Sequence, residues 1–315
     1  MTEATPRSLF FTTQDGLKLH VREFGPRRSE HLPAVCLPGL TRTAEDFTAL
    51  ATALSTDVAR PRRVLALDSR GRGRSDYDSN ADNYSLPVEL GDVLAMLTAM
   101  DVSRAIFVGS SRGGILTMLL AAARPTAIAG AVLNDIGPVI EVKGLMRIKS
   151  YVGKLPQPRS HEEGAEVLRR LFEGQFPKLS PADWLTAAKR TWREEDERLI
   201  PTYDVKLDRT VAGVDPEHPL PPMWMQFDAL ARVPTMIIRG ANSDLLSAET
   251  VATMRERRPQ LETIEVPDQG HTPLLVEPET TARIVDFAAR CDSEPLAQPA
   301  AAPVNKSLSS GSLQS

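Results

Sequence analysis

Cysteine is scarce in this chain, with two residues in 315. Cys36 lies inside an apolar strand-like run and Cys291 follows the last helix-like run, so we expect one core thiol and one surface thiol. Two such residues exclude a disulfide framework and a cysteine-based metal site. The N-terminus lacks the basic-then-apolar order of a secretory signal. No apolar stretch is long enough to span a bilayer. We therefore expect a cytoplasmic protein with no membrane partner and no metal.

Net charge is also low, since 37 Lys and Arg residues against 41 Asp and Glu residues give −4. A nucleic-acid-binding protein would need a basic face, so nucleic acid is not an expected partner. The composition, 42% hydrophobic and 25% charged, is that of a soluble globular protein with a buried core. We find no internal repeat and no signal for an oligomeric state.

Short apolar runs alternate with longer amphipathic stretches along most of the chain. Residues 8–13 and 17–23 flank Gln14-Asp15-Gly16, which predicts an antiparallel hairpin at the start. The further predicted strands are Ala34–Leu37, Val64–Leu67, Ala105–Val108, Ala131–Leu133, Thr235–Ile238 and Leu261–Val266. The predicted helices between them are Glu45–Leu54, Val88–Met100, Ile115–Ala123, Ala248–Arg257 and Thr280–Ala289. This alternation predicts an α/β fold, with a mostly parallel central sheet flanked by helices.

Residues 138–225 break the alternation, because they contain no convincing strand. Helices are predicted at Val142–Val152, Glu162–Phe172 and Pro181–Arg193. We expect a charge-balanced helical cap over the carboxyl ends of the strands, inserted between core residues 1–137 and 226–291. Residues 292–315 are rich in Ala, Pro and Ser and are expected to be a disordered tail.

The motif Gly109-Ser110-Ser111-Arg112-Gly113 stands between a strand-like run and a helix-like run. Glycines on both sides of a serine allow a strand to reverse directly into a helix, which forces the serine into a strained turn with its hydroxyl exposed. The helix that follows directs its free N–H groups toward the same place. The pattern predicts that Ser111 is a nucleophile.

A serine hydroxyl needs a base within hydrogen-bond reach. The candidate bases are the five histidines, His20, His31, His161, His218 and His271. Only His271 lies in a loop that directly follows a predicted core strand, so we take it as the general base. Its orienting acid is predicted to be Asp244, after the strand Thr235–Ile238, with Asp135 as the alternative.

The oxyanion of an acyl-transfer intermediate needs two N–H donors. The backbone N–H of Arg112 is the first candidate, because it heads the helix after the nucleophile. The backbone N–H of Leu40 is the second, because Gly39 lets that loop approach closely.

Taken together, these segments resemble the α/β-hydrolase superfamily with a helical cap, over residues 8–289. The matching segments, in the family's order, are Leu37-Pro38-Gly39-Leu40, Asp68-Ser69-Arg70-Gly71-Arg72-Gly73-Arg74-Ser75, Gly109–Gly113, Asp244 and His271. The resemblance implies the roles given above for Ser111, His271, Asp244, Leu40 and Arg112. Pro38 stands where many relatives have histidine. A serine nucleophile argues against the dehalogenase and epoxide-hydrolase branches.

Other residues are candidates for substrate binding. The loop Arg70-Gly71-Arg72-Gly73-Arg74 invites a phosphate-binding hypothesis, but the resemblance implies a structural connection. Arg42 and Arg112 lie beside the predicted oxyanion site, where contact with a substrate carboxylate is one hypothesis and a solvated surface position is the default. The candidate pocket residues are Arg42, Ile136 with Gly137, Met146, Tyr151, Trp184 and Trp224.

The sequence predicts a cofactor-free serine hydrolase acting on a small or medium ester, thioester or lactone, with a small acyl compound as its partner. One alternative is hydrolysis of carbon–carbon bonds in ring-fission products, or perhydrolase and haloperoxidase chemistry. An alternative of another class is a receptor-like ligand-binding protein with little turnover.

Overall fold

The computed structural model describes residues 5–293. The expected tail falls mainly on residues 294–315, outside the described residues. The ten strands of the described part are β1 (Arg7–Thr12), β2 (Lys18–Phe24), β3 (Ala34–Leu37), β4 (Val64–Leu67), β5 (Ala105–Ser110), β6 (Ile128–Asn134), β7 (Trp192–Glu195), β8 (Arg198–Pro201), β9 (Thr235–Gly240) and β10 (Glu262–Val266). Its α-helices are α1 (Thr48–Thr56), α2 (Leu86–Ala99), α3 (Arg112–Ala123), α4 (Val142–Tyr151), α5 (His161–Phe172), α6 (Pro181–Thr191), α7 (Arg209–Ala212), α8 (Trp224–Asp228), α9 (Ala248–Arg257) and α10 (Pro278–Cys291).

Eight strands form one sheet in the order β1-β2-β4-β3-β5-β6-β9-β10. The β1–β2 and β2–β4 pairs are antiparallel, and the pairs from β4 to β10 are parallel. Along β5, Ala105 and Phe107 pack into one apolar cluster while Ile106 and Val108 pack into another. Alternate side chains of a strand point to opposite faces, so the sheet has a core on each side. The predicted mostly parallel α/β fold is confirmed.

The segment of residues 138–225, called the insert below, contains α4 to α7 and part of α8. It also contains the β7–β8 hairpin, which the sequence did not predict. Asp196 and Glu197 form its turn with φ of 48° and 59°. A two-residue turn of this kind usually has Asn or Gly at such positions, so the acidic pair gave no hairpin signal. The boundaries between core and insert stay a prediction.

Cys291 is buried, which corrects the expected surface thiol. A Cβ on Gly130 of β6 would lie 2.4 Å from the Cys291 sulfur, so the end of α10 packs closely on the sheet. No helix among residues 5–293 is long and apolar enough to cross a bilayer.

Candidate active site

Ser111 lies between the end of β5 and the start of α3. Its backbone has φ 50° and ψ −115°, a region that residues other than glycine rarely adopt. Such strain persists only where the surrounding structure enforces it. Here the enforcing contact is the sheet itself, because the Ser111 N–H donates to the Asn134 carbonyl of β6 over 3.0 Å.

The two glycines of the motif permit this turn for steric reasons. A Cβ on Gly109 would lie 2.5 Å from the Gly113 backbone, and a Cβ on Gly113 would lie 2.0 Å from the Leu37 carbonyl oxygen. Both distances are far below van der Waals contact. Any side chain at either position would push α3 away from the strands and displace Ser111.

His271 connects Ser111 to a buried carboxylate. Its Nε2 lies 2.8 Å from the Ser111 hydroxyl oxygen, and its Nδ1 lies 2.8 Å from Asp135 Oδ2. The Asp135 side chain is fully buried and that of His271 is 5% exposed. A nucleophile, a base and an orienting acid in hydrogen-bonded series form a proton relay.

Asp135 is held in place from the neighbouring strand β9. It follows β6 directly with φ 56°, and its Oδ1 accepts the N–H of Gly240 over 2.8 Å. The Ser243 hydroxyl donates to its Oδ2 over 2.6 Å. Hydrogen bonds from these two donors fix the position of the carboxylate beside the imidazole.

The choice of Asp244 as the orienting acid is therefore corrected. Its carboxylate accepts two hydrogen bonds from Arg147 of α4, over 2.6 and 2.8 Å. Partial burial opposes ionisation of Asp244, but the hydrogen bonds from Arg147 and its charge bring its pKa below the usual value. Asp244 thus ties the insert to the core, while the alternative residue Asp135 contacts the imidazole.

The two predicted oxyanion donors flank Ser111. A Cβ on Gly39 would lie 3.6 Å from Ser111 Cβ, so the Gly39-Leu40 loop lies directly beside Ser111. Within residues 5–293, neither the N–H of Leu40 nor that of Arg112 donates to a protein acceptor. As the first residue of α3, Arg112 has no acceptor inside the helix. Both N–H groups are available to a developing oxyanion.

Buried charged groups lie behind these donors. Arg72 donates from Nε to the Leu40 carbonyl over 2.7 Å and from Nη1 to Glu89 over 2.7 Å. Glu89 also accepts a 2.6 Å hydrogen bond from Arg112 Nε. Burial of Glu89 opposes ionisation, but the nearby Arg72 and Arg112 guanidinium groups bring its pKa below the usual value. The Arg112 side chain is thus bound to Glu89, and the idea that it grips a substrate is corrected.

The arginine-rich loop is structural in this geometry. Besides Arg72, Arg70 is buried and hydrogen-bonded to three carboxylates, those of Asp15, Asp78 and Asp92. A phosphate could not displace this many partners without leaving buried carboxylates unpaired.

A cavity of about 300 Å³ opens above Ser111 and His271. Its volume is at the lower end of the range for ligand pockets, which suits a small or medium ligand. Of the predicted pocket residues, Arg42, Tyr151 and Trp184 line it. The apolar wall from the insert comprises Ile148, Val152, Leu155, Leu168, Phe172, Phe176 and Leu179.

The other predicted pocket residues lie elsewhere. Met146 is two residues before Ile148 on α4, so it projects from the opposite side of the helix and is 37% exposed. Trp224 packs edge-on against Phe227, with ring centroids 6.1 Å apart. Ile136 and Gly137 turn back into the core; a Cβ on Gly114 of α3 would lie 2.2 Å from Ile136 Cγ2.

Sequence reasoning missed three charged residues of the cavity wall, Asp46, Asp183 and Arg190. Asp46 follows Arg42 by one helical turn. Arg190 lies three residues after Ala187 and seven residues after Asp183, spacings that place these residues on one face of α6. The available signal was a step of three residues from the predicted Trp184 to Ala187, followed by a second step of three to Arg190.

A second hydrogen-bonded series of serine, histidine and aspartate connects the first hairpin to the residue that follows β4. Ser8 Oγ lies 2.6 Å from His20 Nε2, and His20 Nδ1 lies 2.7 Å from Asp68 Oδ2. Ser8 is exposed on the edge strand β1 and accepts a 2.6 Å hydrogen bond from Arg74. It lines neither of the two principal cavities among residues 5–293.

Among residues 5–293, no three His, Cys, Asp or Glu side chains are grouped so that they could hold a metal ion.

The chain is similar in sequence and in structure to known proteins of one family. A sequence model of the alpha/beta hydrolase family matches residues 34–284. The chain is 33% identical over 260 residues to a 3-hydroxybutyrate-oligomer hydrolase of Cupriavidus necator, covering 80% of this chain and 87% of that protein. It is 26% identical over 249 residues to a 2-(acetamidomethylene)succinate hydrolase of Mesorhizobium japonicum, covering 78% of this chain and 84% of that protein.

A crystal structure of an alpha/beta hydrolase from Novosphingobium aromaticivorans superposes with a TM-score of 0.82 at 39% identity. The superposition covers 91% of this chain and 99% of the other. Residues 34–284, which the family model matches, include the motif around Ser111 and the loop of His271. The chain belongs to the alpha/beta hydrolase family.

Proposed function

We propose that the protein is a serine hydrolase that cleaves a small or medium ester, thioester or lactone through a covalent acyl-enzyme. The observation that carries this proposal is the hydrogen-bonded series Ser111–His271–Asp135 beneath a cavity. Two unengaged backbone N–H groups beside Ser111 support it, because acyl transfer needs donors for the oxyanion.

In the proposed mechanism, His271 accepts the Ser111 proton as the hydroxyl oxygen attacks the substrate carbonyl. The negative charge on the carbonyl oxygen is stabilised by the N–H groups of Leu40 and Arg112. Asp135 stabilises the imidazolium and fixes its tautomer. The imidazolium then protonates the leaving alcohol, and a water molecule activated by His271 releases the acid from Ser111.

The relative from Cupriavidus necator suggests which substrates to try first. Its name assigns it oligomers of 3-hydroxybutyrate, whose bonds are esters between short hydroxy acids. Units of this size suit a cavity of about 300 Å³. We therefore propose short hydroxyalkanoate esters as substrate candidates.

The test is hydrolysis of p-nitrophenyl butyrate by the full chain and by Ser111→Ala. We expect the variant to lose about 10⁴-fold or more in kcat, because the covalent step is removed. The adjacent Ser110→Ala is the matched control and should lose far less. Mass spectrometry after rapid acid quench should find the butyryl group on the Ser111 peptide. Full turnover by Ser111→Ala would overturn the proposal.

Product analysis separates the other functional classes. A carbon–carbon hydrolase would cleave vinylogous diketone ring-fission compounds faster than esters. A perhydrolase would form peracid from acetate and hydrogen peroxide. A binding protein would retain ligand affinity in Ser111→Ala and show little turnover in the parent chain.

A further inference from the structure

One part of the cavity wall is charged, and it combines the core with the insert. Arg42 donates from Nε and Nη2 to the Asp46 carboxylate, over 2.6 and 3.0 Å. Arg190 of α6 lies across from them, with Nη1 3.8 Å from Asp46 Oδ1. All three side chains line the cavity above Ser111.

The guanidinium group of Arg190 has open donor positions. Within the described part of the chain its only charged partner is Asp46, at a distance too long for a hydrogen bond. Its side chain is 24% exposed, on the cavity side of α6. By contrast, Nε and Nη2 of Arg147 are both bound by Asp244, and Nε and Nη2 of Arg42 are both bound by Asp46. Planar N–H donors left open inside a cavity fit a carboxylate of a ligand.

The charges on this part of the wall do not cancel. One carboxylate, Asp46, serves the two guanidinium groups of Arg42 and Arg190. The remaining acid of the cavity wall, Asp183, accepts hydrogen bonds from the Ser180 N–H and hydroxyl at the start of α6, over 2.8 and 2.6 Å. Seven residues separate Asp183 from Arg190, which is about 10 Å along a helix. The surroundings of Arg190 therefore favour an anion.

This charged wall begins next to the nucleophile. A Cβ on Gly39 would lie 3.5 Å from Arg42 Cγ and 3.6 Å from Ser111 Cβ. The stem of Arg42 and the side chain of Ser111 thus border the same glycine. An ester bound at Ser111 would bring a carboxylate only a few bonds away from its scissile bond toward the two arginines.

We propose that Arg190, beside the Arg42–Asp46 pair, binds a free carboxylate of the substrate, so that the preferred substrates are esters of short hydroxy acids that keep a free carboxylate. This inference rests on the proposed ester hydrolysis and narrows its substrate class. Asp46 is a positioning residue, which holds Arg42 directly and draws Arg190 toward it.

The test compares two substrates that differ only in charge. One is the linear dimer of 3-hydroxybutyrate, and the other is the same dimer with its carboxylate converted to a primary amide. Release of 3-hydroxybutyrate from each is followed by chromatography. We expect Arg190→Gln to lower kcat/KM for the acid about 10- to 100-fold, the effect typical of a lost charged hydrogen bond, and for the amide less than about threefold.

Lys189→Gln is the matched control. It makes the same charge change one residue earlier, at an exposed position that does not line the cavity. If the preference for the acid arises from direct contact, Lys189→Gln keeps it. Hydrolysis of p-nitrophenyl butyrate, which has no carboxylate, checks that both variants are folded and active.

The inference is overturned if the parent enzyme does not prefer the acid, if Arg190→Gln keeps the preference, or if Lys189→Gln loses it equally. Each of these results would leave the ester hydrolase proposal intact, provided that p-nitrophenyl butyrate is cleaved in a Ser111-dependent manner. Absence of Ser111-dependent cleavage of every ester would overturn both proposals.

Discussion

Arg112 donates a 2.6 Å hydrogen bond from Nε to Glu89, a carboxylate on α2 whose side chain is 2% exposed. Arg112 is also the residue whose backbone N–H heads α3 beside Ser111. Through its other oxygen Glu89 binds Arg72, which holds the Leu40 carbonyl over 2.7 Å. A single buried carboxylate therefore fixes both residues that we assign to the oxyanion position.

From this arrangement we expect Glu89→Gln to impair catalysis more than substrate binding. A neutral amide would leave two buried guanidinium groups without a counter-charge, and the Leu40 and Arg112 N–H groups would lose alignment. We expect kcat to fall about 10- to 100-fold, which is no more than the fall caused by removing an oxyanion donor outright. We expect KM to change little. Steady-state kinetics with p-nitrophenyl butyrate measures both.

Asp92→Asn is the control for general destabilisation. Asp92 lies on the same helix, is similarly buried and binds Arg70 over 2.6 Å, but its arginine does not touch Leu40. Breaking either buried pair is expected to cost up to about 3–5 kcal/mol of unfolding free energy. If Asp92→Asn lowers kcat as much as Glu89→Gln does, then the proposed positioning role is wrong.

The two candidate acids should respond very differently to loss of charge. Asp135→Asn changes the group that orients His271, and we expect kcat to fall about 10³- to 10⁴-fold, as in other serine triads. Asp244→Asn breaks the contact with Arg147, so we expect a fall of less than about tenfold and a loss of thermal stability. Melting temperature and kcat are to be measured on both variants. Greater loss of kcat in Asp244→Asn would reverse our assignment.

Asp135 and Asp244 also show how much of the site could be predicted from the sequence. Asp135 and Asp244 follow β6 and β9, which are neighbours in the sheet. Topology alone brings both to the same edge as His271. The difference lies in the positive φ of Asp135 and in the donors Gly240 and Ser243, which direct one carboxylate inward. Backbone conformation of this kind has no local sequence signal.

The cavity was harder to predict than the sheet for a related reason. Apolar periodicity located α4 and α6 to within two residues at each end. It did not fix which face of each helix lies over Ser111, because that depends on how the insert packs against the core. Tyr151 and Trp184 line the cavity, whereas Met146 lies on the other side of its helix. Arg190 was not predicted because a charged side chain is compatible with the solvent-facing side of α6 as well as with its cavity side.

Acid should weaken the link between the first hairpin and the arginine-rich loop. A hydrogen bond from Arg70 to Asp15, over 2.8 Å, lowers the pKa of that carboxyl from 3.8 to about 2. A lowered folded-state pKa stabilises the fold above the unfolded pKa, and this stabilisation is lost as pH falls through the folded value. The stability difference between the parent chain and Asp15→Asn should be constant above about pH 5 and shrink toward pH 2. Urea unfolding at pH 6, 5, 4 and 3 measures it, and a gap that stays constant to pH 3 would contradict this account.

The two serine relays allow a comparison of what makes a serine reactive. Ser8 and Ser111 each lie within 2.8 Å of a histidine nitrogen whose other nitrogen contacts an aspartate. Only Ser111 combines this relay with a strained turn, neighbouring free N–H groups and a cavity. Hydrogen bonding alone should not activate a serine, because Ser8 lies on an exposed edge strand and lines neither principal cavity of residues 5–293 in which an ester could be held against it. We expect a fluorophosphonate probe to label the parent chain and Ser8→Ala at equal rates, and Ser111→Ala about 10³-fold more slowly or not at all. Peptide mapping of the label is the measurement, and adduct on Ser8 in the Ser111→Ala variant at a rate near that of the parent chain would show that the histidine and aspartate suffice.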